Sequence, residues 1–367
     1  MKNKLKVMHG PSEVAGQNSY SVLGLKEIGV DANCVVFIEH DFKYPYDISL
    51  GIDKSKKLLY PAYVLKLGCF FIFALFKYNV FHFHFGHSIL NNVELPFYDL
   101  LGKKYFYEFH GSDLRDNKTF YKKIGLPFDI ENATSSTMKK RNAKICRRAN
   151  GIIVHDDELI PYIPNTNKPV FVVPLRVNLS KFEPNYPLIS NNRIRIVHAP
   201  SRRAIKGTQY VLQAFNELKK SYNNIELVLV EGKSQSEALE IYKTADIIVD
   251  QLLIGTYGVF AIESMALGKP VIVKISSEMK NLLPEDLPVV SADKYTIKEK
   301  LEELILDPKL RNRKGIEGRQ YVENYHNYRY IAEILKKIYE GKESPKSGRA
   351  AFARVKEIKN KNNHEDT

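Results

Sequence analysis

The chain has 367 residues and a mass of 42.2 kDa, with 55 lysines and arginines against 42 acidic residues, a formal charge of +13. At about 150 residues per domain, this length predicts two domains, each able to bury its own core. Hydrophobic residues at 44% and charged residues at 26% exclude a disordered, collagen-like or coiled-coil chain. Three scattered cysteines, Cys34, Cys69 and Cys146, suggest neither a disulfide framework nor a cysteine-based metal site, and so point to a reducing compartment.

Residues 1–10 carry lysines but no apolar stretch of signal-peptide length, and they read as a first strand. In the first half, strands are predicted at Leu5–Met8, Ala32–Phe37, Val80–His84, Lys104–Phe109, Gly151–His155 and Val170–Val173, with helices at Gln17–Glu27, Leu58–Phe76 and Thr134–Ala149. The apolar run Leu67–Phe76 falls short of the about 20 residues that span a bilayer. It is expected to be a buried helix, with shallow membrane contact as the other reading, and no membrane-spanning segment is expected. In the second half, strands are predicted at Ile194–His198, Ile225–Glu231, Ile247–Asp250, Pro270–Val273 and Pro288–Val290, separated by helices at Thr208–Tyr222, Ser236–Thr244 and Gly258–Leu267. Such alternation implies βαβ units and parallel sheets, an α/β fold. The Pro- and Asn-rich stretch Pro174–Asn185 separates the two series, which predicts domains of 1–175 and 176–325 on either side of a ligand-binding cleft. A helix over 326–340 is expected to pack back toward the first domain, and the basic remainder, 341–367, is expected to be disordered.

Five segments could carry chemistry. In Gly255–Ile272 a glycine-containing loop runs into a helix. Glycine lets backbone amides approach an anion, and the helix N-terminus adds about half a positive charge. Gly258, Val259 and Phe260 open that helix, and Glu263 follows within its second turn, where a carboxylate can accept hydrogen bonds from sugar hydroxyls beside a diphosphate. An ordinary helix with a surface glutamate gives the same pattern. In His198–Thr208, Arg202, Arg203 and Lys206 occupy a strand-to-helix loop, suited to neutralising a departing diphosphate in place of a metal ion, or simply a solvated basic loop. The run Phe81–Ser88 places His82 and His84 on one strand face, with His87 after it. A metal site is conceivable there, but without a cysteine or carboxylate cluster, satisfied histidines are the preferred reading. His110–Asp113 follows a strand directly, where substrate-handling groups collect and where a capping turn is equally at home. Gly16 in the first strand-to-helix loop permits close backbone approach.

Taken in order, these residues make the chain resemble the retaining glycosyltransferases of family 4, over Lys6 to about Tyr339. The resemblance is carried by Tyr257–Val273, by Val172–Pro184 as an interdomain linker, by His110–Asp113 and by Lys206–Gly207. It implies the GT-B fold, two Rossmann-like domains facing across a cleft, with the acceptor on the first and a nucleotide-sugar on the second. Of the family's two motif glutamates, the second, which holds the nucleotide ribose, matches Glu263, and the first falls at Gly255. The family's arginine lies five residues before its lysine, where this chain has Ser201, with Arg202 and Arg203 as its stand-ins. The resemblance implies His110, Arg202, Arg203 and Lys206 as catalytic, and Gly16, Gly258, Val259, Phe260 and Glu263 as donor-binding. His84 and Asp113 are expected on the acceptor side. The implied reaction transfers a hexose with retention from a nucleotide-sugar to a saccharide or lipid-linked saccharide, as in cell-surface polysaccharide or lipopolysaccharide synthesis, without a metal or other cofactor.

Met138–Arg148 carries six basic residues and no acidic one, which suits an anionic membrane surface or a solvated helix face. A cytoplasmic protein peripheral to the inner face of the membrane fits that charge. Nucleic acid is not expected as a partner, because the basic residues are not interleaved with aromatics. The alternative from another class is a catalytically silent GT-B protein that binds a glycan or a partner, suggested by Gly255.

Overall fold

The computed structural model describes residues 4–39, 43–53, 55–126, 136–190 and 192–365. The chain divides into two compact units: Met1–Phe120, Phe128–Arg176 and Tyr328–Thr367 form the first, and Tyr121–Pro127 with Val177–Asn327 the second.

The first unit is built on a parallel sheet of β1 (Lys6–Gly10), β2 (Asp31–Val36), β3 (Ile48–Ser49), β4 (Val80–His84), β5 (Lys104–Phe109), β6 (Gly151–Val154) and β7 (Val170–Val172), in the order β3-β2-β1-β4-β5-β6-β7. Alternating residues supply two cores. Met8, Phe81, Phe83, Tyr105 and Tyr107 face one way, and Val7, Val80, Phe106 and Ile153 face the other. The second face is covered by the helices Gln17–Glu27 and Tyr328–Glu340, which pack on one another. Gly24 permits that approach: a methyl there would lie 2.7 Å from the Ala332 Cβ.

The second unit has a parallel sheet of β8 (Ile194–His198), β9 (Ile225–Leu229), β10 (Ile247–Val249), β11 (Val271–Val273) and β12 (Val290–Ser291), in the order β12-β11-β10-β8-β9. Its core joins Ile196, Ile247, Val249 and Ile272 to the helices Thr208–Leu218 and Ile297–Leu306.

Two expectations are corrected. The tail forms a helix, Gly348–Glu365, which buries Phe352, Val355 and Ile358 in the first unit. Its apolar residues recur at helical spacing among lysines, so a polar composition concealed an amphipathic element. Residues 366–367 of that tail, and 134–135 of the predicted helix Thr134–Ala149, lie outside the described residues. The second correction concerns the helix Tyr60–Lys77. It buries only Phe71 and Ala74 fully, so it is not the core helix its composition suggested.

Candidate functional site

In the first unit, polar residues gather at the carboxyl ends of adjacent strands, where parallel sheets collect ligand-handling groups. His9 on β1 is paired in register with His82 on β4, and His84 with Glu108 on β5. Because these positions share one sheet face, they form a buried chain of contacts. Arg176 NH2 donates to Glu108 Oε2 at 2.5 Å, and that oxygen lies 3.2 Å from His82 Nε2. His82 Nδ1 meets the Tyr339 hydroxyl at 2.6 Å, and the hydroxyl meets His9 Nε2 at 2.9 Å. His9 Nδ1 lies 3.2 Å from His84 Nε2, and His84 Nδ1 lies 3.1 Å from His110 Nε2. Gln17, the first residue of its helix, clamps Arg176 by exchanging hydrogen bonds with its backbone N–H and C=O, at 3.0 and 3.1 Å.

Burial decides the protonation here. It holds His9 and His84 well below the usual imidazole range, lowers His82, and pushes His110 down to about 3, outweighing the opposite pull of Glu108. Glu108 pays its own burial penalty, but Arg176, His82 and His84 together hold it well below the carboxylate range. The rings are therefore neutral and Glu108 is charged, which sets the direction of the chain. The charge of Glu108, 3.2 Å from His82 Nε2 though not aligned for a hydrogen bond, favours the His82 proton on that nitrogen, so its Nδ1 accepts from Tyr339. The tyrosine oxygen then accepts from His9 Nε2, His9 Nδ1 accepts from His84 Nε2, and His84 Nδ1 accepts from His110 Nε2. The reverse polarity would set a lone pair of His82 against Glu108 at 3.2 Å. The chosen one leaves only the longer His84 Nδ1–Glu108 pair, at 3.8 Å, unfavourable. His110 thus presents Nδ1 as a hydrogen-bond acceptor.

Two groups of these atoms, from His9, His82 and His84 and from His84, Glu108 and His110, converge within 4.8 Å and could hold a metal ion. The guanidinium of Arg176 beside Glu108 opposes a dication there, and an ion would have to replace hydrogen bonds already made.

Asp113 accepts from the backbone N–H groups of His110 and Gly111, at 2.9 and 2.8 Å, and burial pushes its carboxyl up to about 6. It closes the turn that carries His110. Gly16 immediately precedes the helix Gln17–Glu27 at φ 80°, where a methyl would lie 2.6 Å from the Tyr20 ring.

The second unit carries the other group. Gly258 precedes the helix Val259–Ala266, and a methyl on it would meet no atom within 4 Å, so space is open before the helix N-terminus. Phe260 packs on Tyr242 with ring centroids 4.9 Å apart. Glu263 is half-buried as a residue, yet its Oε1 is fully buried and has no hydrogen-bond partner. Burial pushes this carboxyl up to about 7, against the lowering effect of Lys181. Lys206 Nζ donates to Asp250 Oδ1 at 2.8 Å and to Gln251 Oε1 at 2.7 Å. Gln251 in turn donates to the Thr256 carbonyl, tying the lysine to the loop that leads into Gly258. Arg203 is exposed and paired with Glu231, whereas Arg202 is exposed just before the short helix Arg203–Lys206.

Of the sequence-predicted residues, His84 and His110 are brought together directly, Asp113 supports their turn, and Lys206 is joined through Gln251 to the Gly258–Glu263 segment. Arg203 is drawn to Glu231. Sequence reading missed Glu108, Arg176, Gln17 and Tyr339, whose partners lie up to 330 positions away. It also missed the buried hydroxyl contact of Tyr257 with Tyr321, at 2.9 Å, beneath the Gly258 loop.

No protein-family model and no curated protein matches the chain. Among solved structures, it is similar to sucrose-phosphate synthase from Thermosynechococcus elongatus, at 16% identity and a TM-score of 0.63, over 92% of this chain and 99% of that one. It is similar to Anabaena HepE in complex with UDP-glucose, at 11% identity and a TM-score of 0.63, over 92% and 100%. It is also similar to a candidate UDP-N-acetylglucosamine 2-epimerase from Listeria monocytogenes, at 15% identity and a TM-score of 0.53, over 94% and 99%. A shared fold does not select one reaction, and at these identities the likeness speaks to architecture: the chain has the α/β fold of the GT-B glycosyltransferase structures.

Proposed function

We infer that this protein is a retaining glycosyltransferase that moves a sugar from a nucleotide-sugar to a hydroxyl of a saccharide or lipid-linked saccharide. The observation that carries the reading is Glu263: a buried carboxylate oxygen with no partner, on a helix whose N-terminus opens to free space at Gly258. An unpaired buried acceptor is costly unless a ligand supplies donors, and ribose hydroxyls are such donors. The first-turn amides at Val259 and Phe260 suit the diphosphate. Arg202 and Lys206 supply the positive charge that stabilises the leaving diphosphate, so no metal is required for that step. Lys206 reaches this role by sharing its ammonium between Asp250, Gln251 and the phosphate. The acceptor-type lone pair of His110 suits a sugar hydroxyl, and the first unit selects the acceptor. A cytoplasmic site on the inner face of the membrane fits a lipid-linked acceptor.

Thermal-shift measurements with UDP-, GDP-, ADP- and CDP-sugars, each with and without EDTA, test the reading. One nucleotide should stabilise the protein equally in both conditions. Glu263→Ala should weaken that binding by about 1.5–3 kcal/mol, roughly ten- to 150-fold. Unchanged affinity in the variant would remove Glu263 from the site.

A silent GT-B protein is the second reading, and Gly255 favours it. This residue adopts φ 102° and a methyl there would lie 3.1 Å from Ser276 Cβ, so the loop is shaped for glycine rather than for the glutamate of the family pattern. Nucleotide-sugar binding without hydrolysis or transfer would select this reading.

A further inference from the structure

We propose that the helix Tyr60–Lys77, with the adjoining helix Leu95–Leu100, is a docking face that lies in the surface of an anionic lipid bilayer. The Tyr60–Lys77 helix is apolar on both sides. Tyr63, Leu67, Phe70, Phe71 and Ala74 pack on the core of the first unit. On the opposite side, Leu65, Cys69, Ile72 and Phe76 recur at helical spacing and face outward. Leu65 is 71% exposed and Phe76 86%. Phe71 and Phe97 meet edge to face with ring centroids 6.1 Å apart, which sets the second helix beside the first; that helix adds exposed Phe97 and Leu100, the latter 81% exposed. So many contiguous apolar side chains on a water-facing surface require a partner.

The flanking charge identifies that partner. Lys57 and Lys66 are exposed, and Lys77 lies at the helix end with its Nζ 5.5 Å from the Phe73 ring. Arg148, half-exposed, pairs with Asp99 on the second helix at 2.5 Å, and Arg147 beside it is exposed. An apolar face edged by cations fits acyl chains beneath anionic headgroups. By length and hydropathy the segment Lys57–Lys77 could cross a membrane. Packing excludes that orientation in the folded unit, because Phe71 and Ala74 are committed to the core along the same helix. The helix therefore lies in the membrane plane. With the glycosyl-transfer reading, this places the acceptor among membrane-borne saccharides; the docking itself does not depend on that reading.

Co-sedimentation of the full chain with vesicles tests the proposal. Vesicles of phosphatidylcholine with about 30 mol% phosphatidylglycerol should retain the protein, with loss of binding on raising salt, and pure phosphatidylcholine should retain much less. Leu65→Glu with Phe76→Glu should lower the partition coefficient at least about tenfold, while an unchanged circular dichroism spectrum and Tm certify the fold. A milder pair, Leu65→Ser and Phe76→Ser, should give a smaller loss of the same sign if the acidic variant misfolds. Absence of binding to anionic vesicles, or binding indifferent to these substitutions, overturns the proposal. So does a dimer in solution that the substitutions dissociate, since the face would then belong to a second copy of the chain.

Discussion

A carboxylate whose proton is held by burial reports on what it binds. Glu263 titrates near 7 in the folded protein, against 4.5 in an exposed carboxyl. The stability gained from burying its neutral form is complete below the unfolded value and is lost as pH rises through about 7. Ribose hydroxyls that donate to the carboxylate favour its ionised form, so nucleotide-sugar affinity should rise with pH, becoming up to about tenfold tighter at pH 8 than at pH 6. A sugar-capped diphosphate does not titrate there, so isothermal titration calorimetry in two buffers reads the released proton. Glu263→Gln should flatten the profile, and a profile that persists in the variant assigns the proton elsewhere. The histidine chain makes a second residue-scale prediction. Charge on Glu108 directs every tautomer, so nitrogen NMR of histidine-labelled protein should find His110 protonated on Nε2. Glu108→Gln, whose amide both donates and accepts, should mix the tautomers. An Nδ1-protonated His110 in the unaltered protein contradicts the assigned polarity.

Helices in the second unit are placed by glycines as much as by apolar faces. The helix Pro308–Tyr325 passes so close to Gly268 that a methyl on Gly315 would overlap its carbonyl oxygen, a backbone atom that cannot swing aside. At Gly318 the neighbour is the flexible Met265 side chain, at 3.1 Å. Gly315→Ala should therefore cost about 1–3 kcal/mol, lowering Tm by several degrees, with Gly318→Ala clearly milder. Equal Tm values for the two would mean that helix propensity, not overlap, decides. The same helix carries Tyr321, whose hydroxyl meets that of Tyr257 ahead of Gly258, so its placement supports the loop where the nucleotide is proposed to sit. In the first unit, the terminal helix Gly348–Glu365 adds Val355 and Ile358 to the core beside Ile331 and Leu335. A segment rich in Lys and Asn is thus held by a few buried side chains.

Across the whole molecule, charge and exposed apolar surface have separate origins. The basic stretch Met138–Arg148 suits an anionic membrane surface or a solvated helix face, and its cations divide between partners within the first unit and the exposed Arg147 and Arg148. Lys139 pairs with Asp116, Lys144 donates to the Asn92 carbonyl, and Arg141 donates to that of Asp113. The larger apolar surface lies instead on Tyr60–Lys77, whose composition reads as core. Composition cannot distinguish a helix buried on both sides from one buried on a single side, because that depends on which elements cover it. Alternating strand and helix patterns were sufficient to determine two parallel-sheet units and to single out Gly258, Glu263, Lys206, His84 and His110 as candidates, since periodicity and loop chemistry are local properties of the chain. The pairing of Arg176 with Glu108, the insertion of Tyr339 between His9 and His82, the retention of Lys206 by Asp250 and Gln251, and the order of the terminal helix were decided only by tertiary structure. Each joins residues from different strands and helices, and the burial that shifts their protonation exists only once those elements pack.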